Sequence, residues 1–245
     1  MQRDYEDEIS YNSRMTEDPF PAADFDAWAE TYDESIRDEQ AFPFVGYQEM
    51  LATIVSLAEV KPGIRVLDLG TGTGNLAALF QRAGCHLWCT DFSGEMLARA
   101  RGKVPEAQLL LHDTREPLPE NFGGKFDRIV SAYVFHHFEG LEKVRILQRL
   151  AHHNLKEGGR MVIGDIAFPD AAGREEAKRK AGEEWEEEFY WLAKDDIPFL
   201  EMGMGFKARF LSISWCAGIF TIDREEKVPE RNPGEKKTRT EEERI

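Results

Sequence analysis

The residues best placed to do chemistry in this 245-residue chain are Asp68-Leu69-Gly70-Thr71-Gly72-Thr73-Gly74-Asn75. Glycines at 70, 72 and 74 let a backbone turn sharply and approach a ligand closely, and a helix that follows offers unpaired N–H groups to an anionic portion. By itself such a turn suits NAD, FAD or a methionine-derived cofactor. Three carboxylates narrow the choice. Asp91 lies 21 residues after Gly70, at the end of the second expected strand, where a carboxylate can take both hydroxyls of a ribose. Asp113 follows the third expected strand at the same sheet edge. Asp68 precedes the first glycine, which suits an ammonium group better than a pyrophosphate. The set favours S-adenosylmethionine.

A second group follows the fourth expected strand: Tyr133, His136 and His137. Imidazole titrates near neutrality, so His136 or Tyr133 is the expected base if an acceptor must lose a proton, with a structural loop histidine as the plainer alternative. Neighbouring side chains point differently, so at most one of the two histidines should face a pocket. They lack the i, i+4 spacing of a helical metal-binding pair, and no metal site is expected. Tyr32 shares a helical face with Phe25 and Trp28; it either packs in the core or closes over the ligand.

These groups need a scaffold, and the chain between them alternates strand and helix. Helices are expected at 46–59, 75–83, after the N-cap Ser93, and at 141–153. Short apolar strands fall at 64–69, 86–90, 108–111, 126–131 and 160–166, with Gly158 and Gly159 turning into the last. That order implies right-handed crossovers and a parallel sheet buried on both faces. Beyond it, 171–194 reads as a charged amphipathic helix carrying Trp185, Phe189 and Leu192 on one face. Residues 206–223 read as an antiparallel hairpin closing the sheet.

Composition sets the outer limits. Hydrophobic residues make up 42% and charged residues 31%, enough apolar material for one large core. The net charge of −15 is concentrated in the two flanks, an acidity that opposes binding to nucleic-acid phosphates. No apolar run approaches the roughly 18 residues of a membrane span, and the acidic N-terminus does not resemble a targeting peptide, so a cytoplasmic protein is expected. Cys85, Cys89 and Cys216 lack metal-site spacing and are expected as buried thiols. The expected organisation is a loose acidic lead over 1–22, one domain over 23–223, and a disordered charged tail over 224–245. Within the domain, 23–45 and 171–204 would form lids.

The stretch Val66-Leu67-Asp68-Leu69-Gly70-Thr71-Gly72-Thr73-Gly74-Asn75-Leu76 resembles motif I of the class I S-adenosylmethionine-dependent methyltransferases. Together with Trp28-Ala29-Glu30-Thr31-Tyr32-Asp33 and Ser131-Ala132-Tyr133-Val134-Phe135-His136-His137, it is similar to the bacterial YrrT-type methyltransferases, over about residues 25–223. The resemblance implies a doubly wound, mostly parallel seven-stranded Rossmann-like sheet with an antiparallel terminal hairpin. It assigns Gly70 to cofactor contact, Asp91 to the ribose and Asp113 to the adenine amino group. It places Phe92 and Met96 around the adenine and Ser131 beside the methionine portion. Thr71, Gly72, Asn75 and Thr114 complete the expected cofactor set, with Tyr32 as its lid and Asp68 either touching the ammonium or bracing the loop.

Methyl transfer to a small-molecule acceptor is the function these features favour, in a monomer or homodimer. The alternatives are a non-catalytic S-adenosylmethionine-binding protein, an NAD(P)-dependent oxidoreductase or an RNA methyltransferase. The glycine spacing argues against the oxidoreductase, whose pattern is normally G-x-G-x-x-G, and the acidic flanks argue against RNA.

Overall fold

A computed structural model describes residues 20–202 and 206–224. The expectations for a loose lead and a disordered tail fall, but for 20–22 and Arg224, outside the described residues. Strands β1 (Arg65–Leu69), β2 (His86–Asp91), β3 (Gln108–Leu111), β4 (Phe126–Ala132), β5 (Leu155–Phe168), β7 (Phe206–Ser212) and β8 (Ala217–Arg224) run in the order β3-β2-β1-β4-β5-β8-β7. The two-residue β6 (Trp191–Leu192) pairs with the outer end of β5, an eighth strand beyond the seven expected. The first five are parallel; β8 runs antiparallel to both β5 and β7.

Successive residues of a strand face opposite sides of the sheet, and here both sides are apolar. Val66, Val130, Val162 and Ile219 join one core with α3 (Tyr47–Leu57), α4 (Asn75–Arg82) and α5 (Gly94–Lys103). Leu67, Leu69, Ile129, Met161, Ile163 and Phe220 join the other with α6 (Gly140–His153) and α8 (Ala193–Glu201). Helices on both faces keep every central strand out of water, which is why these strands read as unbroken apolar runs.

The chain steps outward from β1 to β3, then returns to the other side of β1 as β4. Ligands of open α/β sheets bind in the crevice beyond the strand ends at such a reversal. Register brings the relevant ends level: Leu69 pairs with both Thr90 and Ser131, and Asp91 pairs with Leu111.

Three expectations need correction. The segment 171–194 is not one helix: α7 (Ala171–Ala181) stops at Gly182, which adopts φ 59°, and a 3-10 turn over Gly182–Glu184 leads into irregular chain. Glu183, Glu184, Glu186, Glu187 and Glu188 on one helix would repel at i, i+3 and i+4. The irregular path instead buries Trp191 against Phe220 and lays Trp185 on Phe42. The N-terminal stripe is also broken: α1 (Ala22–Trp28) and α2 (Tyr32–Ser35) are separate, although the rings of Trp28 and Tyr32 meet at 4.8 Å. Finally, Gly158 and Gly159 lie inside β5, where the β4 register slips between Phe126 and Arg128, rather than in a turn before it. The three cysteines are buried and free, as expected. Among the described residues, no helix is long and apolar enough to cross a membrane.

Candidate functional site

A cavity of about 350 Å³ opens where β1, β2 and β4 end. Its floor is the glycine loop. Gly70, Gly72 and Gly74 have φ of 60°, 54° and 86°, all in the left-handed region that side chains rarely tolerate. Gly70 is also needed for space: a Cβ there would stand 2.4 Å from Val134 Cγ2. A Cβ on Gly72 would meet nothing within 4 Å. The loop is pinned to β2, because Thr71 N–H donates to the Thr90 carbonyl at 2.8 Å.

Two buried carboxylates stand on this floor. Asp91 accepts the Gly72 N–H at 2.8 Å through Oδ2 and the Ser93 N–H at 2.9 Å through Oδ1. Asp68 accepts the Thr71 hydroxyl at 2.7 Å. Burial raises their pKa values, to about 6 for Asp91 and about 7 for Asp68, and among the described residues no cation pairs with either. A carboxylate has about four acceptor positions, so both retain room for donors from a ligand. An ammonium beside Asp68 and hydroxyls beside Asp91 would supply what burial has removed, which is the donor set of an amino-acid-bearing nucleoside.

Around them, Phe92, Met96, Asp113, Thr114, Tyr32 and Asn75 all line the cavity. Asp113 is shared: Arg115 grips its carboxylate at 2.7–3.1 Å. Asn75 is held by Asp33 at 3.1 Å and by Tyr47 at 3.2 Å, and Lys103 reaches it at 2.6 Å. Ser131 does not reach the cavity. Its side chain is fully buried and donates to the Leu69 carbonyl at 2.9 Å, because its place in the β1–β4 register turns the hydroxyl across the strands.

The sequence comparisons decide the family. A methyltransferase-domain profile matches residues 66–159, and that of the protein-L-isoaspartate(D-aspartate) O-methyltransferases matches 20–105. An uncharacterized methyltransferase of Geobacillus sp. (strain WCH70) is 33% identical over 176 residues, spanning 70% of this chain and 78% of that one. The chain belongs to the S-adenosylmethionine-dependent methyltransferases. An uncharacterized methyltransferase of Geobacillus thermodenitrificans (strain NG80-2) is also 33% identical, over 199 residues, 76% of this chain and 88% of that one. In fold, the methyltransferase is similar to the magnesium protoporphyrin IX methyltransferase of Synechocystis PCC 6803, solved with bound SAH. That match has a TM-score of 0.59 at 21% identity and covers 74% and 85% of the two chains.

The far end of the methyltransferase's cavity holds both histidines, not one. A 3-10 turn over Phe135–His137 turns His136 and His137 together onto the cavity wall, with ring centroids 4.0 Å apart. His136 Nδ1 lies 2.5 Å from Asp165 Oδ1, and its backbone N–H donates to Asp165 Oδ2 at 3.0 Å. Asp165 is wholly buried in β5 and also accepts the Trp191 indole N–H at 3.1 Å. Burial alone would lower the pKa of His136, but the carboxylates of Asp165 and Glu188 outweigh it and the net shift is upward. Burial, with His136 and Lys143 nearby, pushes His137 down to about 2.

Tyr133 is a poor base. Burial raises its pKa well above the usual phenol value, its ring stacks on Tyr47 at 5.6 Å, and its hydroxyl points to the Pro43 carbonyl at 3.4 Å. It also adopts φ 57°, unusual outside glycine, where β4 turns toward the histidines.

Sequence reasoning missed four positions that build this methyltransferase's site. Asp165 was visible as a charge inside an apolar strand. Glu188 lay unmarked in a run of glutamates. Asp26 takes the Ser93 hydroxyl at 2.5 Å and thereby seats α1 against the start of α5. Asp33 takes the Thr73 hydroxyl at 2.6 Å and Lys103 at 2.6 Å, and ties α2 to the glycine loop.

Proposed function

We propose that this methyltransferase acts on a small-molecule acceptor held between the glycine loop and His136. The donor supplies a methyl group already activated by its sulfonium, so the chain's task is to align and to exclude water; alignment alone can contribute on the order of 7–11 kcal/mol. In this reading Gly70, Thr71 and Gly72 present backbone to the donor, and Asp68 takes its ammonium. Asp91 takes the ribose hydroxyls, with Asp113 and Thr114 at the base edge and Phe92 and Met96 against its faces. Asn75 braces the loop through Asp33. Tyr32, with α1 and α2, covers the donor as a lid, and residues 182–190 cover the acceptor as a second.

His136 stands beside the acceptor. Asp165 occupies Nδ1, which leaves Nε2 alone to face the cavity, and Tyr133 is set aside because its hydroxyl stays protonated. The observation that carries the small acceptor is the rest of the cavity lining: it includes Trp28, Phe42, Phe44 and Tyr190 together with Glu184, Glu186 and Glu188. An aromatic and anionic enclosure fits a compact neutral or cationic molecule and repels a phosphate backbone.

Incubating the protein with methyl-labelled S-adenosylmethionine and a cell metabolite extract tests this. A labelled small molecule identified by mass spectrometry is the expected result. Label transferred only to RNA or protein overturns the small acceptor. Binding of S-adenosylhomocysteine without label transfer to any fraction points to a non-catalytic binder.

A further inference from the structure

We propose that His136, His137 and Glu188 form a site for one divalent transition-metal ion of the zinc type at the acceptor end of the cavity. The ligand set stands on geometry alone; only the ion's role in the reaction rests on the methyl-transfer reading.

One ligand atom from each residue falls in a cluster whose members all lie within 4.8 Å of one another. His136 Nε2 is 3.3 Å from Glu188 Oε2, and His137 Nδ1 is 3.8 Å from the same oxygen. Ligands about 2.0–2.1 Å from a tetrahedral ion stand roughly 3.3–3.5 Å apart, so the cluster closes on an ion through small side-chain adjustments. The chemistry matches as well: two imidazoles and one carboxylate, with a further position left open, is a zinc set rather than the all-oxygen shell of magnesium or calcium.

Two of the three facing atoms have no hydrogen-bond partner among the described residues. Among the described residues, His137 Nδ1 and Glu188 Oε2 are both buried and neither makes a hydrogen bond. Buried polar atoms in native proteins nearly always find one, and an unpaired atom of this kind calls for an unseen ion or water. Among the described residues Lys143 makes no ion pair with Glu188: its ammonium donates to the Phe189 carbonyl and lies 4.5 Å over the Trp191 ring. Backbone and side-chain contacts hold the ligands in place. Phe189 N–H donates to the His136 carbonyl at 3.0 Å, which fixes Glu188 beside the 3-10 turn. Asp165 engages His136 Nδ1 and leaves Nε2 for the ion, the usual carboxylate–histidine–metal relay. Asp165 is held in turn by Trp191 and by the Ile166 N–H at 2.8 Å.

Sequence spacing argued against a metal because adjacent histidines cannot chelate from one α-helix. The 3-10 turn removes that objection, and the third ligand arrives from 51 residues further along the chain. All three residues line the cavity, so the open position faces the acceptor. The ion would bind an acceptor hydroxyl or thiol, whose proton leaves to solvent. The acceptor's oxygen or sulfur then forms the new bond to the methyl carbon as the donor's carbon–sulfur bond breaks.

The test is calorimetric titration of the full chain, first stripped with a chelator and dialysed, with zinc chloride and separately with S-adenosylhomocysteine. One zinc per chain is expected. His137→Ala and Glu188→Gln should each weaken zinc at least about tenfold while still binding S-adenosylhomocysteine, and Asp165→Asn should weaken it about 10–100-fold. A double His152→Ala, His153→Ala variant should leave zinc affinity unchanged. X-ray absorption of the zinc-loaded wild type should show nitrogen and oxygen neighbours. The site is overturned by a chain that binds S-adenosylhomocysteine but no zinc, by zinc affinity indifferent to both His137→Ala and Glu188→Gln, or by sulfur in the absorption spectrum. Should those variants fail to fold, the spectrum decides alone. Zinc bound at this site by a chain that ignores S-adenosylhomocysteine would instead refute the methyl-transfer reading and leave the site standing.

Discussion

The backbone N–H of Gly72 donates to Asp91 Oδ2 at 2.8 Å, so the glycine loop after β1 and the carboxylate ending β2 form one unit rather than two neighbouring features. A carboxylate proposed to hold a ribose therefore also sets the shape of the loop below it. Asp91→Ala should lose both roles, weakening S-adenosylhomocysteine at least about 100-fold by calorimetry, since the lost interactions are charge-assisted hydrogen bonds. Asp91→Asn keeps an acceptor and should lose less. Equal affinity in wild type and Asp91→Ala would remove Asp91 from the site.

The pH behaviour of Asp68 follows from its burial. Its carboxyl is raised to about 7, above the ordinary carboxylate value, so the folded chain holds a proton there that the unfolded chain releases. Stability from this group is full below the unfolded value near 4 and is lost as pH rises through about 7. Thermal unfolding of the ligand-free protein should show that decline relative to Asp68→Asn, which cannot titrate. Binding of S-adenosylhomocysteine should run the other way, tightening as pH rises from 6 to 8, because the ammonium needs the ionised carboxylate. A wild-type profile parallel to that of Asp68→Asn would sink this assignment.

Gly70→Ala places a methyl 2.4 Å from Val134 Cγ2 at a positive φ. Strain and overlap together should cost about 1–3 kcal/mol in denaturant unfolding. The double variant with Val134→Ala should recover the overlap but not the strain, so only part of the loss returns. Full recovery would show that φ at Gly70 carries no cost.

Ser131→Ala separates a structural role from a binding one. The hydroxyl bonds the Leu69 carbonyl and lies off the cavity wall. Its loss should cost about 1 kcal/mol of stability, the usual worth of such a bond. Affinity for S-adenosylhomocysteine should change less than about twofold. A tenfold loss of affinity would restore Ser131 to the cofactor set.

The sequence by itself determined the parallel sheet, the glycine loop and the carboxylates at the strand ends around it. Each of those is written in local signals: apolar runs for strands buried on both faces, glycines where φ turns positive, and Ser93 capping α5 by accepting the Met96 N–H. Asp91 and Asp113 were legible because strand ends in a parallel sheet fall at one edge whatever the side chains between them. The histidine end of the cavity was decided by tertiary structure alone. Glu188 reaches the histidines only because 182–190 abandons the helical path, a choice made by Trp185 and Trp191 finding aromatic partners on Phe42 and Phe220. Asp165 becomes the partner of His136 only through β5 lying beside β4, and Ser131 leaves the cavity through the same strand register. Helical spacing is a property of a few neighbouring residues, whereas the meeting of side chains 29 or 51 positions apart is settled by how whole elements pack.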